Sequence, residues 1–166
     1  MEIVKIQRVL HREILFIIRE ISKVESKTKL NRNIKEIWKN FAESLETKNI
    51  GATVKEVTGL VNSVKNSFRS YAGALGALYA FEAQQPATAS SKLEGLKKHY
   101  SQWEADETYF TIHQADFEEP ALLEEKINVL SKEEKLVAAL ACEETSSLLW
   151  SALTGIMEKS GVHCLN

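Results

Sequence analysis

Two ionisable side chains lie on apolar helix faces, where they need a partner. Glu82 follows Leu75 and Leu78 at three- and four-residue steps, and His113 stands between two phenylalanines on a second apolar stripe. A carboxylate or imidazole on a buried face is costly unless it is hydrogen-bonded, ion-paired or bound to a metal. Carboxylates and imidazoles that project inward from facing helices are ligands with which helical bundles hold iron or manganese.

These residue types predict a metal site between two helices. Glu82 and His113 would supply one ligand each, and Asp116, three residues after His113, would share the face of the second helix. Glu25 at the end of the first predicted helix is a further candidate, and Glu20 is its rival. A purely structural interpretation stands beside this one. In it, Glu82 is a buried carboxylate satisfied by a neighbouring Lys, Tyr or Trp, and His113 is a hydrogen-bonded core histidine.

The elements that would position these groups are helices. Seven glycines and two prolines in 166 residues leave long uninterrupted segments, which favours helices over a turn-rich β architecture. Apolar residues recur at helical spacing along most of the chain. We expect an all-α bundle of about seven helices in a single domain, 1–166, with helices near 2–24, 34–46, 53–82, 88–100, 101–117, 120–130 and 131–159.

Three of these helices are predicted to start at a capping box, in which a Ser or Thr is followed three residues later by Glu. The three pairs are Thr53 with Glu56, Ser101 with Glu104, and Ser131 with Glu134. Small residues at 72–77 should let another backbone approach the third helix closely. A proline at position 86 is expected to end that helix or to begin the next.

The composition excludes several functional classes. A net charge of -2, with 44% apolar and 27% charged residues, provides no electrostatic footprint for nucleic acid or an anionic membrane. Two cysteines make neither a disulfide framework nor a zinc motif. The N-terminus does not resemble a signal peptide, and its apolar run is too short and too charged to span a bilayer. We expect a soluble, cytoplasmic protein without nucleic-acid or membrane partners.

Three segments carry a family resemblance: YAFEAQQPATASSKLEGLKKHY, YFTIH and ETSSLLWSALTGI. They resemble the haem-oxygenase-like superfamily that includes TenA, PqqC and the chlamydial protein associating with death domains (CADD). The CADD-like branch is the closest, since FAESLE at 41–46 is similar to its FAEGLG. The resemblance runs from about residue 30 to the C-terminus. It implies a haem-oxygenase-like bundle with a buried di-metal site, which in CADD-like members uses oxygen and reductant and is linked to p-aminobenzoate synthesis for folate.

The resemblance also implies ligands, position by position. Glu82 matches the glutamate of the family's YxxE-Q-P segment, and His113 matches the first histidine of its H-x-x-x-D-x-x-H helix. This chain reads HQADFEEP there. With one residue deleted, Asp116 matches the aspartate and Glu119 takes the place of the last histidine. Without that deletion, a phenylalanine and a proline occupy those places.

The resemblance is weaker towards the N-terminus. Where the family has an E-x(6)-H pair, this chain has only Glu25 as an approximate glutamate, and Asn33 or Ile34 in place of the histidine. Family members carry roughly two more helices before this point, so we expect a shortened, divergent chain that lacks the usual first helices. The apolar residues at 14–18 would then be covered by a second copy or a helical partner.

Three functional hypotheses follow, and whether the chain is an enzyme stays open. The first is a CADD-like, metal-dependent oxidoreductase with a depleted site, in which Glu82, His113 and Asp116 bind iron or manganese and Glu25 or Glu119 completes the set. Its substrate would be small and aromatic or derived from tyrosine. The second is a non-catalytic interaction module that dimerises or binds a partner through its N-terminal helix. The third, TenA-like hydrolysis of a thiamin-related pyrimidine, is less favoured because no cysteine is placed as the nucleophile.

Overall fold

The computed structural model describes residues 53–99 and 101–160, together with residues 37, 40, 41, 43 and 44. Expectations that concern the first predicted helix, Glu20, Glu25 and the missing histidine position lie outside these residues. The five early residues are helical, as expected for the helix predicted at 34–46.

The remaining described residues form helices and turns. No strand occurs within 53–99 and 101–160, and the predicted all-α class is confirmed. A short 3₁₀ turn, Ser101–Trp103, lies between the third and fourth helices. The α-helices in these ranges are α1 (Lys55–Ser67), α2 (Tyr71–Glu82), α3 (Gln85–His99), α4 (Thr108–His113), α5 (Glu118–Asn128) and α6 (Lys132–Lys159).

The continuous helix predicted over 53–82 is wrong, because the chain turns at residues 68–70. Ser70 begins a new helix there, since its Oγ accepts a hydrogen bond from the backbone N–H of Gly73 at 3.1 Å. Serine is favoured at this N-cap position because its hydroxyl satisfies an otherwise unpaired amide. The turn changes the rotational phase of α2, and Tyr71 is 61% exposed instead of following the apolar stripe of α1.

The predicted capping boxes had different outcomes. The box at Ser131 is confirmed: its Oγ accepts from the Glu134 N–H at 3.2 Å, and its own N–H donates to the Glu134 carboxylate at 3.0 Å. These hydrogen bonds lower the pKa of Glu134. The box at Thr53 is wrong, since α1 begins after Val54 without a side-chain cap.

The box predicted at Ser101 is also wrong. Only the 3₁₀ turn follows this serine, and Glu104 then adopts a positive φ of 47° that ends the helical path. The next helix starts later, where the carboxylate of Asp106 accepts a hydrogen bond from the Thr108 N–H at 2.9 Å. Hydrogen bonds from Thr108 lower the pKa of Asp106, which lies one residue before Glu107, the N-cap of α4.

The long helix α6 runs antiparallel to both α1 and α2. Near its middle the Ser63 hydroxyl donates to the Glu144 carboxylate at 2.8 Å, and near its end the Lys159 ammonium donates to the carbonyl of residue 53 at 2.7 Å. Gly76 of α2 packs directly on the backbone of Ala138. The predicted close approach of small residues is therefore present, and α2 ends near the start of α6.

Two apolar clusters stabilise the described part of the chain. The first lies between α1 and α6 and contains Val54, Val57, Leu60, Val61, Val64, Ala152 and Ile156. The second joins the early helical residues to α3 and α4 and contains Phe41, Ala89, Leu93, Leu96, Tyr109 and Phe110. Because α4 carries part of the second cluster, the position of His113 at its end is set by core packing.

One helix in the described ranges, α6, is long and apolar enough to cross a bilayer by length and composition. About a fifth of its apolar window (22%) is buried. A single helix of this kind is weak evidence for a membrane span, because core helices of bundles share these properties. Helix α6 also packs along α1 and α2. The expected cytoplasmic location remains a prediction.

The close packing of α2 on α6 predicts that Gly76→Ala destabilises the protein. A Cβ at this position would overlap the backbone of Ala138, which a helix cannot relieve by rotating a side chain. We expect a loss of about 1–3 kcal/mol in the free energy of unfolding, measured by urea denaturation.

Gly59→Ala is the matched control. Gly59 also lies inside a helix, but an added Cβ there would have no atom within 4 Å. We expect this variant to be as stable as the wild type or more stable by up to about 1 kcal/mol, because alanine favours helix. Equal stabilisation by both substitutions would contradict the close contact between α2 and α6.

Candidate metal site

Four of the five predicted ligand residues lie in the described part of the chain, at the ends of three helices. Glu82 is the last residue of α2, and His113 is the last residue of α4. Asp116 lies in the connection after α4, and Glu119 lies in the first turn of α5. The fifth candidate, Glu25, lies outside the described residues.

The connection between α4 and α5 differs from the expected continuous helix. The helix predicted to run to residue 117 ends at His113, and Phe117, expected on its apolar stripe, is 67% exposed. Asp116 therefore does not share a helix face with His113. Its carboxylate instead accepts a hydrogen bond from the Glu119 N–H at 3.4 Å, which places it at the start of α5.

His113 is buried, with 3% of its surface exposed. Its Nδ1 is buried without a hydrogen-bond partner. Burial lowers the pKa of the imidazole, and the nearby Asp116 carboxylate partly offsets this effect. The ring is therefore neutral at neutral pH, which is the form that ligates metals. An unsatisfied buried nitrogen is costly, so this atom is suited to a ligand's role.

Two residues beside His113 were missed by the sequence reasoning. Tyr109 is buried (4% exposed), and its ring centroid lies 4.4 Å from that of the imidazole. Its hydroxyl accepts a hydrogen bond from the Gln85 amide at 3.1 Å. The spacing of four residues between Tyr109 and His113 was a local signal for their contact, whereas Gln85 carried no signal for its partner 24 positions away.

The Glu82 and Glu119 side chains form a hydrogen bond with each other. Two carboxyl groups can do so only when one of them carries a proton. Burial raises the pKa of Glu119, the Asp116 carboxylate raises it further, and the hydrogen bond with Glu82 acts in the opposite direction. The pair therefore holds a proton more tightly than an exposed glutamate would, and a divalent cation could take the place of that proton.

The chemical types of these groups favour a metal site, whereas their arrangement does not form one by itself. Carboxylate oxygens and an imidazole nitrogen suit iron or manganese. As they stand, however, no three Asp, Glu, His or Cys side chains among the described residues converge into a metal-binding group. The structure presents a carboxyl pair near Asp116, and Asp116 in turn lies near the imidazole of His113. Metal binding at this place is a prediction that the arrangement leaves open.

The chain is similar to two curated proteins that are both named 4-aminobenzoate synthase. The protein from Nitrosomonas europaea is 32% identical over 150 residues, which cover 81% of this chain and 58% of that protein. The protein from Chlamydia pneumoniae is 28% identical over 138 residues, covering 78% of this chain and 62% of that protein.

These similarities support the CADD-like branch of the predicted resemblance. The chain spans about three fifths of the length of the curated relatives that it matches. No family model matches the chain, and no solved structure matches it. The wider assignment to TenA and PqqC remains a prediction.

Glu119 should make the metal-free protein less stable as the pH rises. Its pKa is higher in the folded chain than its ordinary value of 4.5, so the folded state binds the proton more tightly than the unfolded state. The free energy of unfolding then decreases as the pH rises from the unfolded pKa through the folded pKa. In Glu119→Gln this decrease disappears, and the variant should gain stability relative to the wild type as the pH rises above 4.5, the ordinary pKa of the glutamate.

Urea denaturation at several pH values in the presence of a chelator measures this difference. Glu118→Gln is the control, because Glu118 is an exposed neighbour in the same first turn of α5. If both variants followed the wild-type pH dependence, Glu119 would not be the buried, proton-retaining group that the structure describes.

Proposed function

We propose that this protein is a metal-dependent oxidoreductase related to 4-aminobenzoate synthases, and that it contributes to the formation of 4-aminobenzoate. The observation that supports the proposal is the hydrogen-bonded Glu82–Glu119 carboxyl pair, with Asp116 close enough to act on both Glu119 and the buried His113 imidazole. Two relatives that share most of this chain bear the name of that activity.

The described residues have distinct tasks in this proposal. Bound iron or manganese would supply oxygen activation. Glu82 and Glu119 would bind the cation through carboxylate oxygens after losing their shared proton, and His113 would turn its free Nδ1 towards it. Asp116 would hold the start of α5 and add negative charge. Glu25 is proposed to complete the ligand set from outside the described residues.

The surroundings of the site suit a small aromatic substrate. The rings of Tyr109 and Phe110 meet edge to face with centroids 5.3 Å apart, and Phe110 meets Phe41 in the same way at 5.0 Å. These rings belong to a buried apolar cluster, and aromatic rings of this kind can pack against a further aromatic ring. We propose a small aromatic or tyrosine-derived compound as the substrate class.

Metal analysis tests the proposal. Protein purified from cells supplemented with iron or manganese should contain one or two metal ions per chain, measured by elemental analysis after desalting. Glu82→Gln and Glu119→Gln should each lower this content about tenfold or more, since each removes a charged ligand. Glu118→Gln should retain the wild-type content.

Growth of a bacterial strain that requires 4-aminobenzoate tests the product. The wild-type chain and the Glu118→Gln variant should support growth without the supplement, and the two ligand variants should not. A folded, metal-free wild-type protein would overturn the oxidoreductase proposal, and metal binding without growth would remove 4-aminobenzoate as its product.

A second candidate is a non-catalytic helical interaction module. The lack of three converging ligands in the described residues favours it. So does the outer face of α6, where Leu136, Leu140 and Trp150 are 61%, 56% and 74% exposed. Such a module would also use the N-terminal apolar helix expected from the sequence. In this case we expect a stable dimer by sedimentation velocity, and a strictly monomeric protein would exclude self-association.

A further inference from the structure

A hydrogen bond connects the segment that follows Glu82 to the helix that carries His113. We propose that Gln85 and Tyr109 are positioning residues for His113: the Gln85 amide fixes the Tyr109 phenol, and the Tyr109 ring fixes the orientation of the imidazole. The inference rests on the proposed function only in that His113 is taken as a ligand.

The hydrogen bond ties two helix ends together. Gln85 is the first residue of α3, three residues after Glu82. Its Nε2 donates to the Tyr109 hydroxyl at 3.1 Å, and Tyr109 lies one turn before His113 in α4. This hydrogen bond therefore adds to the apolar packing of α3 on α4 in holding the segment after α2 against the helix that carries His113.

Packing of Tyr109 sets the orientation of the imidazole. Both rings are buried, and their centroids lie 4.4 Å apart at an interplanar angle of 54°. Metal-bound histidines are usually oriented by a hydrogen bond from the second ring nitrogen to a neighbouring group. Nδ1, the proposed ligand atom, makes no hydrogen bond that would hold the ring in the metal-free protein, and the packing contact with Tyr109 limits rotation of the ring.

The neighbouring glutamine shows that this arrangement is particular to Gln85. Gln84 is exposed, and its Nε2 donates to the carbonyl of Ala80 at 2.6 Å, within the end of its own helix. Two adjacent residues of the same type therefore have different roles, since the Gln85 amide reaches α4. Gln84 provides a matched control for any substitution of Gln85.

The experiment compares Gln85→Leu, Tyr109→Phe, the double variant and Gln84→Leu with the wild type. Dissociation constants for Mn²⁺ are measured by titration calorimetry on the full chain. Each single variant at the proposed positions should bind Mn²⁺ about tenfold more weakly. The double variant should be no more than about twofold weaker than either single variant, because both remove the same hydrogen bond. Gln84→Leu should bind like the wild type.

A second readout needs no metal. Long-range ¹H–¹⁵N spectra of the metal-free protein report the order of the His113 ring. The wild type and Gln84→Leu should give one sharp set of ring signals, and Gln85→Leu and Tyr109→Phe should give shifted, exchange-broadened signals. Thermal unfolding identifies any variant that fails to fold. Tyr109→Phe keeps the aromatic ring in the core, so this variant tests the positioning of His113 even if Gln85→Leu does not fold.

The two proposals fail in different ways. If the wild type binds no Mn²⁺, the proposed function fails, and the ring signals of the metal-free variants still decide the positioning inference. Unchanged ring signals in folded Gln85→Leu and Tyr109→Phe would overturn the positioning inference, even if the wild type binds metal. Additive effects of the two substitutions on Mn²⁺ affinity would also overturn it.

Discussion

The close packing of α2 on α6 constrains the position of Glu82, the carboxylate that α2 brings to the candidate site. Gly76 leaves no space for a Cβ against the backbone of Ala138, so the two helices lie nearer to each other than larger side chains would permit. Because α6 is long and antiparallel to α2, this contact fixes where α2 ends. Helix α5 packs on α2 as well, which brings its first turn to that end. The contact between the Glu82 and Glu119 side chains is a consequence of this packing.

The charges of the neighbouring groups then determine what the Glu82–Glu119 pair can bind. Glu119 lies beside Glu82 and near Asp116, Asp116 lies near the neutral imidazole of His113, and burial together with Asp116 raises the pKa of Glu119. Like charges in such surroundings are costly unless a proton or a cation lies among them. The raised pKa of Glu119 favours a proton at this place in the metal-free protein. A divalent cation would neutralise two carboxylates at once and would also give Nδ1 of His113 the partner that it lacks.

Local patterns in the sequence predicted most helices and part of the site. Apolar spacing predicted the all-α class, and the Ser131–Glu134 pair marked the start of α6. The turn at residues 68–70 was missed, since serines that cap a helix also occur within a continuous one. Glu119 became a candidate through family resemblance, because helix periodicity does not distinguish it from its neighbour Glu118. The Gln85–Tyr109 hydrogen bond depends on tertiary packing, so neither residue could be selected from its local surroundings.

The central claim is that the Glu82–Glu119 pair forms a cation site with His113. A crystal structure of protein grown with iron, with diffraction data collected on both sides of the iron absorption edge, tests it most directly. We predict an anomalous peak within about 2.0–2.3 Å of carboxylate oxygens from both glutamates and of a His113 ring nitrogen. Glu82 and Glu119 side chains separated in solvent, with no anomalous peak beside either, would contradict the claim.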